Sequence, residues 1–197
     1  MIINKEEFQK YIIDITGSQE YQRSNGDTLE GLIKNFLIHK KVNIVLPKTN
    51  RTIEDFSFND IFYDVKTRNL DKPFNMPNLI SYSRLDKNII KANKELVYIF
   101  IEYKIVNGLF IIENLHNNYY YEINPDVLRW GNLGTAQLQI SPKKEQPLIK
   151  PAGKEIFIKK IYESYTLFCY DLIKKVINRI PTLTNIEKKE MAERING

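Results

Sequence analysis

Cysteine is nearly absent from this 197-residue chain: Cys169 stands alone, so no internal disulfide can form and no Cys-based zinc spacing exists. A reducing compartment fits that usage. Histidine is as scarce, with only His39 and His116, too far apart in sequence to form a His metal motif. No apolar run approaches the roughly 18 to 20 residues of a membrane span. The opening "MIINKEEFQK" has neither a basic start nor a long apolar stretch, so a soluble, cytoplasmic protein is expected. Acids are outnumbered, 24 Asp plus Glu against 29 Lys plus Arg, a net charge of +5 that favours an anionic partner such as nucleic acid. The blander reading, a mildly basic protein with no such partner, stays open. There is no repeat and no low-complexity tract. A hydrophobic content of 43% over this length suits one well-buried domain, residues 1–197.

What is present reads as alternating elements. "FQKYIIDI" (Phe8 to Ile15) reads as a short helix. "DTLEGLIKNFLIHK" offers Asp27 as N-cap, Glu30 three residues on, and Leu29, Leu32, Ile33, Phe36 and Leu37 at helical spacing. Val42 to Leu46 reads as a buried strand ended by Pro47. A hairpin over Ile53 to Thr67 follows, then a helix opened by Pro77 that carries Leu79, Ile80, Leu85, Ile89 and Ile90. "ELVYIFIEYKI", Asn107-Gly108 and "LFIIENL" spell a second hairpin with a two-residue turn. Tyr119 to Ile123 and Thr135 to Ile140 read as shorter strands, and Ser141 to Lys154 as a loop. A long helix runs from Lys154 to Ile180, stopped by Pro181, and Cys169 within it reads as a small core residue. A last helix opens on the capping-box pair Thr184 and Glu187. This order predicts an α/β protein, a mixed β-sheet flanked by helices.

The first hairpin holds the chemistry. With Asn59 and Asp60 as central turn residues, Phe58 meets Ile61, Ser57 meets Phe62, and Asp55 faces Asp64. Strand alternation puts Ile53, Asp55, Ser57, Phe62, Asp64 and Lys66 on one face and Phe56, Phe58, Ile61, Tyr63 and Val65 on the other. Opposed like charges are destabilising, so a positive group belongs between the acids. Lys66 is one candidate. A divalent cation is another, and Mg²⁺ suits oxygen ligands, commonly one or two carboxylates plus waters and phosphate. The bland alternative is a solvent-facing hairpin with polar surface.

Asp55, eight residues, Asp64, one residue, Lys66 resembles the motif of the PD-(D/E)XK nuclease superfamily, which includes most type II restriction endonucleases. Glu54 and Asp55 stand where that family has its Pro-Asp pair, with Glu54 departing at the proline position. Asp64, Val65 and Lys66 match the second half. The element order from Asp27 to Leu115 is similar too, which implies a restriction-endonuclease-like fold with a catalytic core over about 27–115. Residues 116–197 would then supply DNA recognition and dimerisation.

The resemblance implies that Asp55, Asp64 and the Val65 carbonyl hold Mg²⁺, that Lys66 positions the attacking water, and that phosphodiester hydrolysis leaves 5′-phosphate ends. In that family a first-helix glutamate often joins the site; Glu30 is the matching residue, and capping partner of Asp27 is its other reading. Candidate DNA contacts are Arg68, Lys72 and Asn75 in the segment leaving the hairpin, and Gln137 and Gln139, which share a strand face and can pair with adenine. Polar surface is the alternative for the two glutamines. The implied partners are double-stranded DNA, a second copy in a homodimer, and a cognate DNA methyltransferase. Two other readings remain: a non-catalytic basic DNA-binding protein, and a junction-resolving or repair nuclease of the same superfamily.

Overall fold

Asn107 and Gly108 take positive φ values of 50° and 80°, the geometry a two-residue hairpin turn requires, and join β4 (Glu95–Val106) to β5 (Leu109–Tyr119). Asn59 and Asp60 do the same at 50° and 61° between β1 (Phe56–Phe58) and β2 (Ile61–Asn69). The computed structural model describes residues 2–16, 29–49, 52–73, 78–131, 136–141, 147–180 and 183–196.

These four strands form one mixed sheet in the order β1-β2-β4-β5, with β2 parallel to β4 and the outer pairs antiparallel. Parallel neighbours need a crossover. Here it contains β3 (Asn78–Ser81) and α3 (Tyr82–Arg84), which continues as a π-helical turn over Leu85–Ile90. A second sheet has the order β3-β7-β6, from β7 (Gln137–Ile140) and β6 (Leu128–Gly131).

β4 is the hub because its alternation feeds two cores. Val97, Ile99 and Ile101 join Tyr63 and Val65 against α1 (Lys5–Thr16) and α2 (Leu29–His39). Leu96, Tyr98 and Phe100 face the second sheet, Tyr120, and Phe157 and Ile161 of α4 (Lys154–Asn178). The α1 segment also closes the edge of β5, where Gln9 donates to the Phe110 carbonyl at 3.1 Å and accepts from the Ile112 N–H at 2.6 Å. An edge strand is thereby kept from pairing with another chain. The last helix, α5 (Asn185–Asn196), opens on the expected box, with the Thr184 N–H donating to Glu187 at 2.8 Å and the Glu187 N–H to Thr184 Oγ1 at 3.3 Å.

Several expected elements differ. Val42 to Leu46 is no buried strand: only Val45 bridges, to Ser57, and Val45 and Leu46 are 62% and 52% exposed. The helix placed at Pro77 starts at Tyr82, because Leu79 and Ile80 are buried side by side in a strand of the second sheet; Pro77 itself, like Asp27 and Pro181, lies outside the described residues. Tyr120–Glu122 is a 3₁₀ turn, with the Tyr119 N–H donating to Glu122 at 2.8 Å. Leu128–Gly131, between the two segments expected as shorter strands, is itself a strand. Cys169 is half-buried outside both cores, since α4 buries only Phe157, Ile161 and Ile177 among its described residues.

Exposure separates the two apolar segments energetically. Ile99→Ala, at a fully buried position, is expected to cost about 2 to 5 kcal/mol. Val45→Ala is expected to stay within about 0.5 kcal/mol. Urea unfolding of both variants measures the difference.

Candidate functional site

Alternation along β2 sends Tyr63 and Val65 into the first core and leaves Phe62, Asp64 and Lys66 on the opposite face. The pairing of Phe56 with Tyr63, Ser57 with Phe62 and Phe58 with Ile61 is the expected register. It breaks at Asp55. A straight ladder would turn the Asp55 N–H away from β2, as the Ser57 N–H turns to the Val45 carbonyl at 2.8 Å; instead it donates to the Tyr63 carbonyl at 2.8 Å. The kink aims the Asp55 carboxylate at the backbone of the next residue pair, where its Oδ2 accepts the Val65 N–H at 2.7 Å. Asp55 therefore sits beside Asp64 without the square opposition that straight register implies.

Glu30, in the first turn of α2, brings a third carboxyl to the group, facing Asp55. Two lysines answer these acids. Lys66 Nζ lies 2.8 Å from Asp64 Oδ1, and Lys34 Nζ lies 2.6 Å from Glu30 Oε1, one helical turn away. Asp64 is only 5% exposed. Burial pushes its carboxyl up to about 7, with Asp55 and Glu30 adding to the rise and Lys66 opposing it. Burial also raises Asp55, where the Val65 N–H and Lys34 pull down and Glu30 pushes further up. Clustered, partly desolvated carboxylates of this kind demand positive charge.

The group opens into a cleft of about 450 Å³, also lined by Glu54, Asn78 and Arg84. Glu54, at the proline position of the motif, turns its carboxylate back to accept the Ile53 N–H at 3.1 Å. Among the described residues, no three His, Cys, Asp or Glu side chains are arranged to hold a metal ion by themselves. The carboxylates that could hold a cation here are those of Asp55 and Asp64, with Glu30 beside Asp55 on the same cleft.

The other sequence candidates are dispersed. Arg68 is two residues past Lys66, but its guanidinium lies 2.8 Å from Glu102 on β4, whose other oxygen accepts from Asn114 at 2.8 Å. Lys72 is exposed beyond the end of β2. Asn75 lies outside the described residues. Gln137 and Gln139 are half-buried on β7, and Gln139 Nε2 donates to Asn78 Oδ1 at 2.6 Å. Sequence reasoning missed Lys34, Asn78 and Arg84. Lys34 had a signal, its spacing of four from Glu30. Asn78 and Arg84 had none, because their segment read as one helix.

No protein-family model and no curated protein matches the chain. Among solved structures, the NlaIV restriction endonuclease superposes over 83% of this chain and 80% of its own, with a TM-score of 0.53 at 13% identity. At that identity the likeness is one of fold. The chain has a restriction-endonuclease-like fold, a mixed sheet flanked by helices.

Proposed function

We propose that this chain is a Mg²⁺-dependent DNA endonuclease of the PD-(D/E)XK superfamily, a type II restriction enzyme acting on double-stranded DNA. The observation that carries the reading is the meeting of Asp55, Asp64, Lys66 and Glu30 at an open cleft of a restriction-endonuclease-like fold.

The donor chemistry fits Mg²⁺. Two carboxylates raised by burial and by neighbouring acids, Glu30 at Asp55 and both Asp55 and Glu30 at Asp64, are relieved by a hard divalent cation, and Mg²⁺ commonly takes only one or two protein carboxylates, completing its shell with waters and substrate phosphate. In this reading Asp55 and Asp64 are the ligands. The Val65 carbonyl is the third, since in an extended strand it points the same way as the N–H that Asp55 holds. Bound there, Mg²⁺ supplies Lewis-acid polarisation of the scissile phosphate and lowers the pKa of water.

The chain's own groups do the rest. Lys66, whose ammonium lies 2.8 Å from Asp64 at the cleft, would direct that ammonium at the attacking water and at charge developing on the phosphate. Glu30 and Lys34 form a second pair beside Asp55 on the same cleft, and Arg84 adds a cation at the cleft wall. Hydrolysis leaves 5′-phosphate ends. A homodimer would match the two-fold symmetry of a palindromic site, and a DNA methyltransferase would protect the host copies of that site. A reducing cytoplasm is the location this reading assumes. Among the described residues no helix is long and apolar enough to cross a membrane.

Incubation with long duplex DNA and Mg²⁺ is expected to give discrete fragments, abolished by EDTA. Asp64→Ala, Asp55→Ala and Lys66→Ala should each lower the rate by about a hundredfold or more. Cleavage of branched DNA alone would favour a junction-resolving nuclease. Absence of cleavage on every DNA, with binding kept, would favour a non-catalytic DNA-binding protein.

The Asp64 carboxyl also sets a stability slope. Its folded value of about 7 lies above the roughly 4 of an unfolded carboxyl, so its contribution is fully present below pH 4 and is lost as pH rises through 7. Without divalent cations, Asp64→Asn is expected to flatten the decline in urea midpoint between those limits. Mg²⁺ should restore stability to the parent protein at pH 8 and leave Asp64→Asn nearly unchanged.

A further inference from the structure

The second sheet is amphipathic. Leu138 and Ile140 of β7 and Leu128 and Trp130 of β6 pack into the second core. Gln137, Gln139, Arg129 and Gly131 alternate onto the opposite face. Backbone pairing aligns Asn78, Gln139 and Arg129 as one row across β3, β7 and β6.

Three features single out this row. It contains no acid, and Arg129 is exposed with no ion-pair partner among the described residues. Its central amide is held in place: Gln139 Nε2 donates to Asn78 Oδ1 at 2.6 Å, and the Gln139 side chain lies over Gly131, where any Cβ would collide with it. Finally, Asn78 also lines the acid cleft, so the row begins at the candidate site.

We infer that this face of the second sheet reads base edges in the DNA major groove, with Arg129 and Gln139 as specificity-determining residues and Asn78 as the residue that orients Gln139. The inference rests on the nuclease reading for its substrate. Strands about 4.8 Å apart spread the three side chains over about 10 Å. That is close to three base-pair steps at about 3.4 Å each, and within a groove about 12 Å wide. Arg is suited to bidentate pairing with guanine and Gln with adenine. Tying Gln139 down before binding lowers the ordering cost of that contact.

The test is selection of bound sequences from a randomised duplex pool by full-length Asp64→Asn protein, which reads binding without cleavage. The parent is expected to enrich one sequence. Arg129→Ala should relax preference at one guanine roughly tenfold to a hundredfold, and Gln139→Ala at one adenine to a similar degree. Arg129→Lys keeps the charge but not the fork, so it should lose the guanine preference while retaining affinity for unselected DNA. Gly131→Ala, which displaces the Gln139 amide, should reproduce the Gln139→Ala pattern. Circular dichroism confirms that each variant is folded. Unchanged preferences in the Arg129 and Gln139 variants, or a parent that enriches nothing, would overturn the inference. Cleavage by the unmutated chain is scored separately: cutting with unaltered preferences sinks only the inference, and altered preferences without cutting sink only the nuclease reading.

Discussion

The hydrogen bond from the Val65 N–H to the Asp55 carboxylate, 2.7 Å long, is the contact on which the site depends. β1 stops at Phe56, so beyond it the edge of β2 has no strand to satisfy its backbone. A buried N–H left unpaired costs about as much as a lost hydrogen bond, and a carboxylate is a strong acceptor for it. Asp55 fills that position only because the chain kinks there, spending its own N–H on Tyr63. The same bond that completes the sheet edge therefore brings a second acid beside Asp64. An amide side chain could satisfy Val65 equally well, but it would not supply the second negative charge.

That charge is tolerated through compensation on two elements. Lys66 is carried by the same strand face as Asp64, and Lys34 by the same helix face as Glu30, so each lysine is positioned by the periodicity that positions its acid. Neither pair cancels the site. Asp64 stays raised in spite of Lys66, and Asp55 in spite of Lys34 and the Val65 N–H. Burial is the larger effect at both carboxyls, and that imbalance distinguishes this cluster from an ordinary surface ion pair.

Local chemistry accounts for what was legible in the sequence. Asn107-Gly108 and Asn59-Asp60 are turn pairs that accept positive φ, and the alternation from Phe56 to Lys66 assigned each side chain to its observed face. What failed depended on distant partners. Val42 to Leu46 has strand composition but finds only Ser57 to pair with, and Leu79-Ile80 matches helix and strand patterns equally until β7 is known to lie beside it. Cys169 has apolar neighbours on a 25-residue helix that outruns the core beneath it, and Leu167 beside it is 65% exposed. At the site, the Asp64 and Lys66 pair was legible because it is local. The kink at Asp55 and the approach of Arg84 were not, since both arise from packing between elements.

The cleft is a consequence of how the second core is distributed. Over β4 that core is complete, with Leu96 and Tyr98 fully enclosed beneath the second sheet and α4. Over β2 it thins, so that Phe62 and Ile53 are only partly buried. Asp64 lies at this boundary, paired in the sheet with Tyr98 on its closed side and facing the cleft on the other. A carboxylate fully inside the core would be kept neutral, and one on an open surface would ionise at its ordinary pKa without needing a cation. At the boundary it is desolvated by protein on one side and reachable from the cleft on the other. That position raises the carboxyl to about 7 and also gives an incoming cation or phosphate a route to it. The packing of Leu96, Tyr98 and Phe100 on β4 thus contributes to the burial that raises Asp64 one strand away.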